Sequence, residues 1–100
     1  MYARVVTTQY QPGKLDEALQ ITRESILPQL RQQAGYQRST LLLDRSNNKV
    51  VAMSLWQTEA DLQASGASIS HPGVQARLAK VNSLLAAAPL VEIYEVAVQE

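Results

Sequence analysis

His71 is the one histidine of the chain, and so the one side chain whose ordinary titration lies near neutral pH. In that range it could take a proton from a weakly acidic substrate as a general base. It stands in Ser70-His71-Pro72, where an imidazole could equally satisfy backbone groups at a helix start, and no carboxylate or serine at a recognisable spacing completes a triad with it. Trp56, the sole tryptophan, ends an apolar stretch. Its large ring with a single N–H donor could wall an aromatic-binding pocket and anchor a substrate oxygen, or could simply fill the core. Arg4 is the one basic residue in an otherwise apolar first segment. Its guanidinium could bind a carboxylate or pair with Glu92 or Glu95 near the other terminus, and the ion pair is the expected state. Tyr2, Tyr10, Tyr36 and Tyr94 fall in or beside strand-like segments, where packing alone accounts for aromatic residues.

Other chemistries find no support. The chain has no cysteine, which removes thiol catalysis, disulfides and Cys-type zinc sites. One histidine and scattered acids give no metal-ligand spacing. Pro12-Gly13-Lys14 lacks the flanking glycine and the Lys-Ser/Thr ending of a phosphate loop, and only 4 glycines leave no room for a dinucleotide fingerprint. Lys plus Arg equals Asp plus Glu at 9 each, with no basic block, so no nucleic-acid partner is expected. The N-terminus has Thr7, Thr8 and Gln9 where a signal peptide would need a longer apolar run, and no stretch approaches the ~20 apolar residues of a membrane span. A soluble, cytoplasmic, non-exported protein without a cofactor is the expectation.

Positioning these residues falls to a single domain over residues 1–100. At 46% hydrophobic and 18% charged the chain should fold around a packed core, though a chain of 100 residues buries only about two thirds of its surface unless a partner covers more. Tyr2 to Tyr10 reads as a strand stopped by Gln11-Pro12-Gly13. From Lys14 to about Gln33, Leu15, Ala18, Leu19, Thr22, Ile26 and Leu30 recur at helical spacing, with a kink or looser turn near Leu27 imposed by Pro28. Gly35 is suited to a left-handed C-terminal position. Tyr36 to Asp44 and Lys49 to Trp56 form an antiparallel pair about a turn at Arg45-Ser46-Asn47-Asn48. Thr58-Glu59-Ala60-Asp61 begins a short helix to about Ser68. Pro72 opens another, with a stripe of Val74, Leu78, Val81 and Leu85. Ala88-Pro89 ends it, and Val91 to Val98 is the last strand.

This order is the ferredoxin-like split βαβ arrangement of the α+β class: a four-stranded antiparallel sheet with helices on one face. The other face cannot be wholly polar. Leu41, Leu42 and Leu43 run consecutively, and both alternating sets of the last strand contain apolar residues. Such a surface on a small domain points to a homodimer interface.

Gln11-Pro12-Gly13-Lys14 before the first helix, Leu27-Pro28 followed by Gly35-Tyr36, Ser54-Leu55-Trp56 followed by Thr58-Glu59-Ala60-Asp61-Leu62, and Ser70-His71-Pro72 before the next helix together resemble the dimeric α/β-barrel superfamily. Within it the chain is similar to the antibiotic biosynthesis monooxygenase-like proteins over essentially its whole length. The resemblance implies two sheets closing into a barrel across a dimer axis, and a pocket between helices and sheet in each subunit. It also implies oxidation of a polycyclic phenol or quinol by oxygen without metal or flavin, with Trp56 at the substrate and His71 catalytic. Haem-degrading relatives carry an asparagine on the first strand; the matching position here is Val6, which offers no hydrogen bond and argues against haem degradation. Two readings therefore stand side by side: a cofactor-independent monooxygenase, and a non-enzymatic dimeric module binding a small apolar or aromatic ligand.

Overall fold

A computed structural model describes residues 1–68 and 79–100, with side chains described for 1–65 and 79–100. The described elements are β1 (Tyr2–Gln9), α1 (Leu15–Ile21), a π-helical stretch (Thr22–Ile26), α2 (Leu27–Arg31), β2 (Tyr36–Asp44), a 3-10 turn (Arg45–Asn47), β3 (Lys49–Trp56), α3 (Glu59–Ser68) and β4 (Leu90–Glu95). Residues 79–83 are also helical; the expected start of that helix, with Pro72, Val74 and Leu78, lies outside the described residues. The strands form a four-stranded sheet in the order β2-β3-β1-β4, and every pairing is antiparallel. The ferredoxin-like order expected from the sequence is thus the one observed.

Strand ends follow from the register. Tyr2 pairs with both Trp56 and Glu95, and one further hydrogen bond, Val96 N–H to Met1 O at 2.9 Å, follows the last pair. β4 is therefore Leu90–Glu95, shorter than the expected run to Val98. At the other end Tyr10 leaves the strand and bridges to Leu85. There Ala86 N–H reaches Gln9 O (2.7 Å) and Gln11 N–H reaches Leu84 O (2.9 Å), which ties the chain before β4 to the turn after β1.

The proline in the first helical segment acts one turn ahead of itself. Having no N–H, Pro28 cannot bond the preceding turn. The ladder has already widened over Thr22–Ile26, and Leu27 N–H bonds Thr22 O, five residues back. Thr22 Oγ1 also donates to Ala18 O at 2.9 Å. The looser turn expected near Leu27 is therefore a π stretch placed just before it.

Helices cover one face of the sheet. Tyr10, Leu15, Ala18, Val50, Val81 and Leu84 form the buried core cluster there, with Leu19, Ile21, Ile26, Leu41 and Leu85 packed against it. Each fully buried aliphatic side chain of this kind contributes about 1.5–3 kcal/mol. Leu85, expected on the apolar stripe, packs against this core while bridging Tyr10, and Leu84 is buried within it. The antiparallel register places Val5, Thr7, Val51, Met53, Leu55, Leu42, Leu90 and Tyr94 together on the opposite face.

Two glycines take left-handed backbone conformations, Gly13 at φ 81° and Gly35 at φ 78°, and their surroundings differ. A Cβ on Gly13 would meet open space, whereas one on Gly35 would fall on the Asp61 carboxylate. Gly35 O also accepts Gln57 N–H at 2.8 Å, fixing that approach. Gly13→Ala should cost about 1 kcal/mol, the left-handed penalty alone, and Gly35→Ala about 2–3 kcal/mol by urea denaturation. Adding Asp61→Ala to Gly35→Ala should recover only part of the steric cost, because the Asp61 Cβ, 2.6 Å from the added methyl, remains.

Candidate functional site

The helix-facing rows of the three strands β3, β1 and β4 lie side by side. Register aligns Trp56 with Tyr2 and Glu95, Ser54 with Arg4 and Ile93, and Ala52 with Val6 and Val91. α3 packs on β1 and β3 above them, begun by a cap in which Thr58 Oγ1 accepts Asp61 N–H at 3.1 Å.

Trp56 has no exposed surface. Its Nε1–H donates to Ser54 Oγ at 3.0 Å, and its ring meets Tyr36 edge-on with centroids 5.5 Å apart at 76°. Tyr36 in turn donates its hydroxyl to Ser39 Oγ at 2.8 Å. The indole donor suggested as a substrate anchor is therefore already engaged. The pair Ser54 and Trp56, two residues apart on one face, is a feature the sequence reading passed over, though strand parity alone would have joined them.

Arg4 does not form the expected ion pair. Glu92 lies opposite Val5 and so on the other sheet face, where its carboxylate accepts the Tyr94 hydroxyl; that contact, and with it the neighbouring Glu92 charge, holds Tyr94 protonated to higher pH. Glu95 lies opposite Tyr2, one pair further along, and its charge, followed by that of Glu59, raises the Tyr2 pKa. Arg4 is half-buried instead, with Nη2 donating to Leu62 O at 2.8 Å. Burial lowers its pKa from the usual guanidinium value, which leaves an arginine charged at neutral pH.

Val6, half-buried between Ala52 and Val91, offers this row only an aliphatic surface. His71 lies outside the described residues, so its relation to Trp56 is not part of this geometry. Among the described residues no group of three His, Cys, Asp or Glu side chains could hold a metal ion, and no helix is long and apolar enough to cross a membrane.

Residues 1–77 match the family described as antibiotic biosynthesis monooxygenase. The chain belongs to that family. Among curated relatives, the uncharacterized protein Rv2557 of Mycobacterium tuberculosis (strain ATCC 25618 / H37Rv) is 29% identical over 97 residues, 97% of this chain and 41% of that protein. This chain thus spans less than half the length of that relative. Among solved structures, a single-residue variant of SnoaB, a cofactor-independent oxygenase from Streptomyces nogalater, superposes with a TM-score of 0.80 at 18% identity, covering 98% of this chain and 94% of that one. An uncharacterized NIPSNAP domain protein from Burkholderia xenovorans gives 0.75 at 19% identity, covering 97% and 95%. At these identities the likeness is one of fold.

Proposed function

We propose that this family member works as a homodimer that binds an aromatic phenol or quinol on the helix side of each sheet and oxidises it with dioxygen without a cofactor. The observation that carries the reading is the row formed by Val6, Val91 and Ile93 beside Arg4: Val91 and Ile93 face the helix side yet are 54% and 45% exposed. An apolar surface of this kind, bounded by one cation, suits a flat ring bearing oxygen substituents. The likeness in fold to a protein described as a cofactor-independent oxygenase supports it.

In this reading the ring itself supplies the electrons. A quinol and dioxygen give a hydroxyquinone and water, one oxygen atom entering the ring. The protein's part is to orient the ring, exclude water and remove a phenolic proton, the role assigned to His71. Trp56 acts from behind Ser54 as the wall that holds the row in place.

Oxygen consumption with 1,4-naphthoquinol as probe, above its rate in buffer, tests this. His71→Ala should lower the protein-dependent rate about a hundredfold, and Trp56→Phe should lower it by a smaller factor. A parent no faster than buffer, or a His71→Ala protein as fast as the parent, would sink the proposal. Saturable naphthoquinol binding without oxygen uptake would instead favour the ligand-binding module.

A further inference from the structure

Arg4 has no acidic partner among the described residues. The ion pairs among the described residues are Arg45 with Asp16 and Lys80 with Glu17, and Arg4 is in neither. Its aligned partners across the sheet are Ser54 and Ile93, both uncharged, and α3 presents Leu62 to it. A half-buried guanidinium loses hydration that only a counter-ion or several acceptors would replace, yet its one hydrogen bond among the described residues is to Leu62 O.

That bond does not account for the charge. Leu62 O sits inside α3 and already accepts Ser65 Oγ–H at 2.6 Å, so the carbonyl has no need of a guanidinium. With Nη2 held by α3, the planar group is fixed in orientation and its other N–H donors remain. On the same face, one pair further along the strands, lie Val6 and Val91, with Ile93 directly opposite Arg4. A fixed cation at the border of an exposed apolar row is the arrangement that recognises an aromatic anion: the ring lies on the aliphatic side chains and the charged oxygen meets the fork.

We propose that Arg4 is the anion-binding residue of the helix-side site, selecting aromatic ligands that carry a carboxylate or an ionised phenolic or enolic oxygen. The inference rests on the placement of the ligand given under Proposed function, and adds that the ligand binds as an anion.

Calorimetric titration of the parent with 2-naphthoate and with 2-naphthalenemethanol, the same ring without the charge, separates the two. The parent should prefer naphthoate by about ten- to hundredfold, the range of a hydrogen bond to a charged group. Arg4→Gln should abolish that preference by weakening naphthoate about ten- to hundredfold, while an unchanged urea midpoint reports an intact fold. In the parent itself, the Arg4 Nε–H resonance in a 15N NMR spectrum should move on saturation with naphthoate and stay in place with the alcohol; this reading stands even if Arg4→Gln does not fold. Equal affinity of the parent for both compounds, a preference retained in Arg4→Gln, or an unmoved Arg4 resonance at saturating naphthoate would each overturn the assignment to Arg4 while leaving the pocket standing. Binding of neither compound overturns the pocket reading and this inference with it.

Discussion

Trp56→Ala should lose about 3–5 kcal/mol of stability, measured by urea denaturation at fixed protein concentration. For a domain whose total is roughly 5–15 kcal/mol, that approaches unfolding. The size follows from complete burial of the ring, from the edge-on contact with Tyr36, and from the loss of the donor that Ser54 Oγ accepts. Ser54 is itself only 8% exposed, so water would have to enter to replace that bond. Trp56→Phe keeps an apolar ring and should cost much less, about 1–3 kcal/mol for the orphaned acceptor and the smaller volume. A loss of oxygen uptake in Trp56→Ala would therefore report collapse of the site, and only Trp56→Phe can speak to its role at a ligand. If Trp56→Ala denatured at the same urea concentration as the parent, the burial described for this ring would be wrong.

The elements governed by local chemistry were legible in the sequence. Gly35 takes the left-handed conformation foreseen for it, Thr58 caps the helix that follows, and β2 and β3 span the expected Tyr36–Asp44 and Lys49–Trp56. What composition could not give was pairing. Whether Arg4 meets Glu92 depends on a register in which a shift of one residue moves a side chain to the opposite face, and nothing in either strand's own residues states that Glu92 sits across from Val5. The proline at position 28 was readable as a break, but the π stretch ahead of it reflects how the whole segment re-spaces its hydrogen bonds. Of the candidate site, Arg4 and Trp56 were visible as odd residues in apolar strands, and Ser54 was within reach of strand parity; the Leu62 carbonyl that Arg4 meets was visible only in the fold.

The second large effect concerns the sheet face that the helices leave open. Met53 lies near the middle of β3, a central strand, with Val5 opposite on β1 and Thr40 on β2. Around it on that face are Leu42, Leu90 and Tyr94, exposed at 51%, 56% and 50%. If two such faces pack together, as proposed above, a symmetric interface buries each substituted residue twice. Met53→Glu then places two carboxylates without counter-ions in the apolar centre. A buried unpaired charge costs about 3–5 kcal/mol, so the dimer Kd should rise by at least about a hundredfold, and sedimentation of the variant at micromolar concentration should give the mass of one chain. The parent should sediment as two chains, and its urea midpoint should rise with protein concentration because unfolding is coupled to dissociation. Should the parent sediment as one chain, with a midpoint independent of concentration and unaltered by Met53→Glu, the face is a solvent surface and the dimer is excluded. The two faces of the sheet would then separate cleanly in experiment: Met53→Glu acts on assembly and leaves the naphthoate preference of each subunit, whereas Arg4→Gln acts on that preference and leaves the mass unchanged. Such a split is what a sheet with one side given to a ligand and the other to a second copy must produce, since alternate residues of the same strand serve the two.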